Sequence, residues 1–137
     1  MKKALFLLLV GFTLVGFAQS ETPVEVPLIL VRIPAGEVAQ IGDASVRFVS
    51  VLEDSRCPKD VTCIWAGRIR VQIEVGIKGK PAFQKEILIG QTKPGESSDR
   101  TLYDSDDVFL KVAAVSPYPT SEDKGNRAYA VLISTQK

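Results

Sequence analysis

The stretch Arg68-Ile69-Arg70-Val71-Gln72-Ile73-Glu74-Val75-Gly76-Ile77 alternates without a break, with Ile69, Val71, Ile73, Val75 and Ile77 on one side and Arg68, Arg70, Gln72 and Glu74 on the other. Successive side chains of an extended chain point to opposite faces. The segment can therefore gather its apolar residues only as a β-strand, and the polar outer face marks an antiparallel sheet with one side toward water. From Val26 onward apolar residues recur at period two, and no run of ten or more residues holds a 3.6-residue period. The chain is predicted to be all-β.

Turn chemistry sets the strand order. Ser45 to Glu53 alternates with Val46, Phe48 and Leu52 opposite Arg47 and Glu53. Gly42-Asp43 joins it to Glu37–Ile41 as a two-residue hairpin whose glycine supplies positive φ at the first turn position. Lys78-Gly79-Lys80-Pro81 closes a second hairpin onto residues 82–89, and a polar loop rich in Gly, Ser, Thr and Pro covers 90–100. Residues 107–116 and 126–135 read as a last pair of strands joined by the loop from Pro117 to Asn126, and residues 26–33 read as the first strand. About seven antiparallel strands at this spacing make a β-sandwich or a small barrel, which periodicity does not separate.

The chain begins Met1-Lys2-Lys3, followed by an apolar run from Ala4 to Ala18 that is shorter than the ~20 residues a spanning helix needs. Gly16 and Ala18 are small, as a signal peptidase requires, so residues 1–18 are predicted to be a cleaved export signal, 19–25 a flexible leader and 26–137 a single β domain. No cysteine near the cleavage point offers lipid attachment, so the mature chain is expected not to span or be anchored in a membrane. Cleavage removes two lysines and no acid, which leaves 15 basic against 16 acidic side chains. Basic residues are interleaved with acidic ones along the whole length, the opposite of the clustered charge that holds a phosphate backbone, so no nucleic-acid partner is expected.

Both cysteines and the only tryptophan lie within Asp54-Ser55-Arg56-Cys57-Pro58-Lys59-Asp60-Val61-Thr62-Cys63-Ile64-Trp65-Ala66-Gly67. A thioredoxin-type pair has two intervening residues at a helix start, and a zinc site has four ligands. Here five residues intervene between strands, and the chain has no histidine and no further cysteine. Cys57 and Cys63 are therefore predicted to form a structural disulfide closing a small loop, with Pro58 to Val61 as a single turn. Trp65, two residues after the second cysteine, is expected to pack on the sulfurs as a core residue, its alternative being recognition. The small Ala66-Gly67 pair predicts a bulge where the long strand begins. Arg56 is expected to pair with a nearby carboxylate, and otherwise to offer a bidentate fork to an anionic partner.

Asp104, Asp106 and Asp107 put three carboxylates into four residues, a weak calcium candidate. Counted from Asp104, Phe109 stands where an EF-hand loop needs glycine and Val115 where it needs glutamate, so the segment is predicted to be a solvated turn. Glu53, Asp54 and Asp60 could supply a carboxylate pair for glycoside hydrolysis, but nothing in the sequence sets their separation. Without histidine every His-dependent triad is absent. No catalytic residue, cofactor or metal is assigned.

The run Glu53-Asp54-Ser55-Arg56-Cys57-Pro58-x-x-Val61-x-Cys63-x-Trp65-Ala66-Gly67, preceded by a Val-x-Phe strand and followed by an alternating one, resembles a family of small exported bacterial proteins and lipoproteins of uncharacterised function. The resemblance covers about fifteen residues strictly and about sixty loosely, and implies an extracytoplasmic β domain, secreted or periplasmic, with a disulfide in that motif. It transfers no activity. The expected function is non-enzymatic binding of another protein or an envelope component through the loops at one end of the fold, with Arg56, Lys59, Trp65 and Tyr118 as candidate contacts. Tyr118 stands between two prolines, an aromatic on a stiffened backbone. A second expectation is a protease inhibitor presenting Lys59 on the Cys57–Cys63 loop, and a third is a carboxylate-based enzyme.

Overall fold

The computed structural model describes residues 28–136; the predicted signal and leader, residues 1–25, lie outside them. Eight strands form: β1 (Ile29–Pro34), β2 (Val38–Ile41), β3 (Ala44–Asp54), β4 (Arg68–Ile77), β5 (Phe83–Gly90), β6 (Thr101–Asp104), β7 (Phe109–Ser116) and β8 (Ala130–Gln136). They make two four-stranded antiparallel sheets, ordered β1-β8-β7-β6 and β2-β3-β4-β5, packed as a sandwich. The expected all-β fold stands, with one strand more than expected. The extra strand is β6, four residues at a sheet edge whose single inward apolar residue, Leu102, is too little to give a period.

Ile69, Val71, Ile73 and Val75 of β4 are buried as the alternation requires, and face Ile33, Leu110, Val112, Val131 and Ile133 of the other sheet. Phe48 is the largest fully buried side chain of the core. The Gly42-Asp43 hairpin forms with Ile41 opposite Ala44 and Gly42 at φ 61°. At the second hairpin the Lys80 amide donates to the Ile77 carbonyl at 2.9 Å, with Gly79 at φ 77° in the third turn position that a type II turn reserves for glycine.

Two sequence expectations along β3 and β4 fail for one reason. Register shifts between Phe48 and Ser50, and again between Val51 and Glu53, put the bulges on β3 rather than at the start of β4. Each inserts a residue and turns the following side chains over. Val51 then packs against the core, and Leu52, expected inside, is exposed.

Candidate functional site

Between β3 and β4 the chain runs through residues 55–67, which carry the disulfide. The ladder continues into this loop: the Ser55 amide donates to the Arg68 carbonyl at 2.8 Å and the Cys57 amide to the Ala66 carbonyl at 2.9 Å. Cys57 and Cys63 are bonded, their Cα atoms 5.9 Å apart, and the Val61 amide returns to the Pro58 carbonyl at 3.3 Å as the predicted single turn. Gly67 makes the close return possible. Its φ is +73°, and a Cβ placed there would stand 1.8 Å from the Ser55 carbonyl oxygen.

The loop is locked to the β7–β8 connection by one buried carboxylate. The Asp54 side chain, 6% exposed, accepts from Arg56 Nε and Nη2, both at 2.8 Å, from the Tyr129 hydroxyl at 2.9 Å and from Arg127 Nη1 at 3.3 Å. Arg56 Nη1 donates on to the Val115 carbonyl at 2.9 Å and Nη2 to the Pro117 carbonyl at 3.0 Å. Burial opposes ionisation of Asp54, but the hydrogen bonds from Arg56 and Tyr129 and the Arg56 charge outweigh it and hold the carboxyl below the usual aspartate range. Farther out, the Lys59 amide donates to the Pro119 carbonyl at 3.0 Å, and Asp60 accepts from the Ser121 amide at 2.8 Å and from the Ser121 hydroxyl. Those Ser121 bonds lower the Asp60 pKa. The disulfide loop and the Pro117–Asn126 loop are thus one platform.

A second ionic cluster fixes the neighbouring 91–100 loop. Arg68 Nε reaches Glu53 at 2.9 Å and Nη1 reaches Glu96 at 2.6 Å, while Arg70 Nη2 reaches the other Glu96 oxygen at 2.8 Å. The Lys93 amide donates to Glu96 at 2.7 Å, and this bond, ahead of the Arg68 and Arg70 charges, lowers the Glu96 pKa. Arg68, placed on the open face by its alternation, is nearly buried because this loop folds over it.

Trp65 is not a core residue. The residue is 71% exposed and its neighbour Ile64 95%. The bridge closes an excursion beyond the ends of β3 and β4 instead of joining two sheets, so no apolar interior lies beneath it to receive an indole. Arg56 is withdrawn as a free fork, because it is 7% exposed and its donors are taken by Asp54 and two carbonyls. Tyr118 is 48% exposed, with the Arg56 guanidinium 4.8 Å from its ring centre. Lys59 is exposed, on a turned backbone whose amide is occupied by Pro119.

At the opposite end, Asp104, Asp106 and Asp107 are exposed around the β6–β7 turn, where the Ser105 amide donates to the Val108 carbonyl at 3.0 Å. Among the described residues no group of three or more carboxylates and cysteines is placed to hold a metal ion. Among the same residues no helix is long and apolar enough to cross a membrane.

Between the Trp65 indole and the 91–93 segment runs an open groove of about 560 Å³, lined by Glu53, Ser55, Trp65, Gly67, Arg68, Gln91, Thr92 and Lys93. The Gln91 amide donates to the Gly67 carbonyl at 3.2 Å, which ties the two walls across the floor. Sequence reasoning finds the Trp65 side of this groove and misses the Gln91–Lys93 side, which only the fold brings near. No known family model, curated protein or solved structure matches this chain.

Proposed function

We propose that this chain is an exported, non-enzymatic β domain that binds another protein or a component of the cell envelope through the platform formed by the disulfide loop and the Pro117–Asn126 loop. The observation that carries the proposal is the exposure of Trp65 and Ile64 on a loop that is closed by a disulfide and pinned to its neighbour. Large apolar side chains on a preorganised loop lose little entropy on binding, and tryptophan is the residue most enriched where binding energy concentrates. Tyr118, held by Arg56, adds a second aromatic on the same platform. The basic head and apolar run of residues 1–18 support export, as does the resemblance of the 53–67 motif to small exported proteins.

The test is capture from an extract of the producing cell's own envelope, comparing the purified protein with its Trp65→Ala and Tyr118→Ala variants. Retention of a defined component by the parent protein and its loss with Trp65→Ala supports the proposal. Equal retention by all three overturns it.

A further inference from the structure

The groove beside Trp65 has a chemistry of its own. One wall is an exposed aromatic face; the exposed Gln91 and Thr92 offer amide and hydroxyl groups that both donate and accept, and the exposed Ser55 hydroxyl, whose proton is directed to Glu53 and the Arg68 carbonyl at 3.3 Å, offers an acceptor. The charged residues of the lining are largely spent on each other: Glu53 on Arg68, and Arg68 in turn on Glu96. A ligand meeting this surface finds a flat apolar patch and neutral hydrogen-bonding groups, with the Lys93 ammonium at one wall as the added charge.

We infer that this groove binds a saccharide chain, with one pyranose ring stacked by its C–H face on the Trp65 indole and its hydroxyls bonded to Gln91, Thr92 and Ser55. A pyranose pairs an apolar face with a rim of hydroxyls that donate and accept, which is the pairing the lining presents. An apolar peptide anchor would need a desolvated apolar pocket, and the groove is instead open and rimmed by amides and hydroxyls. A ligand held chiefly by charge, such as a phosphate backbone, would need several uncompensated cations, and with Arg68 already doubly paired the lining leaves Lys93, enough to meet one carboxylate of a stacked sugar. The walls are preformed: the disulfide holds the Trp65 side, and Glu96, bound to the Lys93 amide, Arg68 and Arg70, holds the other. The inference rests on the proposed binding platform and names the component it takes. Lys93 favours a sugar that carries a carboxylate.

Trp65 is the only tryptophan, so its fluorescence reports the site directly. The purified protein is titrated with chitohexaose, cellohexaose and oligogalacturonate while its emission is followed, and is co-sedimented with insoluble murein sacculi. The expected result is a saturable change in emission with at least one sugar, or retention on sacculi. Gln91→Ala should weaken binding about three- to tenfold, the worth of one neutral hydrogen bond. Trp65→Ala, followed by sedimentation and calorimetry, should weaken it at least tenfold while the melting temperature holds. Lys93→Ala should weaken oligogalacturonate binding and spare the neutral sugars. No binding to any probe, or binding indifferent to both Trp65→Ala and Gln91→Ala, overturns the saccharide assignment. If envelope capture still depends on Trp65 in that event, the captured component is a protein or another envelope component that is not a saccharide, and the platform proposal stands. If capture is also indifferent to Trp65, both fall.

Discussion

Replacing Asp54 by alanine removes the carboxylate on which the platform is built. The side chain is 6% exposed, and its departure strips the Arg56 guanidinium, 7% exposed, of two bonds at 2.8 Å, Tyr129 of one at 2.9 Å and Arg127 of one at 3.3 Å. Breaking a buried ion pair from one side costs about 3 to 5 kcal/mol because the remaining charge is left without its partner. The lower end applies here. Arg56 keeps the Val115 and Pro117 carbonyls, and Arg127 keeps Asp123 at 3.0 Å. A loss of about 3 kcal/mol lowers the melting temperature of a domain this size by about 12 °C. Thermal and urea denaturation at neutral pH, followed by circular dichroism, measure it, with the exposed Asp107→Ala as a control expected to stay within about 0.5 kcal/mol. Hydrogen exchange locates the effect, since the Cys57 and Lys59 amides should lose protection before those of β4. A loss below about 1 kcal/mol, or one no larger than that of Asp107→Ala, would refute the assignment of Asp54 as the tie between the loops.

Removing the disulfide by the double change Cys57→Ala and Cys63→Ala should cost about 2 kcal/mol, the chain-entropy value for so short a loop, with the β spectrum retained; loss of that spectrum in a circular dichroism scan would contradict it. Gly67→Ala should cost more than about 2 kcal/mol, because a positive φ and a Cβ 1.8 Å from the Ser55 oxygen act together. Gly79→Ala, at a similar φ with nothing within 4 Å, should cost less, and equal losses in urea titration would count against the contact. Acid should act through carboxyls held below their ordinary values: Glu53, first by its bond from Arg68; Asp54, against its burial, by Arg56 and Tyr129; Glu96, by the Lys93 amide; and Asp99, brought to about 2 chiefly by the Thr101 amide. Because the folded values lie below the unfolded 3.8 and 4.5, the unfolded chain takes up protons first. The melting temperature should be level above about pH 5 and fall from there toward pH 2, and a rise on acidification would reverse the sign.

The sheets were legible because a strand with one buried face writes its period into the sequence, as β4 does from Ile69 to Val75, and because Gly42 and Gly79 mark turns that need positive φ. Bulges are not written this way. Val49 and Leu52 are ordinary strand residues, and only the pairing of β3 with β4 shows that each is an insertion. The disulfide followed from spacing and the absence of other ligands. The position of Trp65 did not, since proximity to a cystine implies burial only when the bridge crosses the core. Asp54 looked like one acid among several because its partners Tyr129 and Arg127 lie more than seventy residues away. The far wall of the groove was illegible for the same reason: Gln91 and Lys93 sit in a polar loop whose position depends on Glu96 reaching Arg68 and Arg70.

Trp65, the lone tryptophan, faces solvent, and the proposed function makes it the contact residue. Collisional quenching of Trp65 emission by acrylamide, in the free protein and again after addition of the component retained from envelope extract, tests it on one residue. Emission should be red-shifted and strongly quenched in the free protein and shielded in the complex. Emission shielded already in the free protein would return Trp65 to the packing around the disulfide, and emission left unshielded by a retained component would remove it from the binding surface.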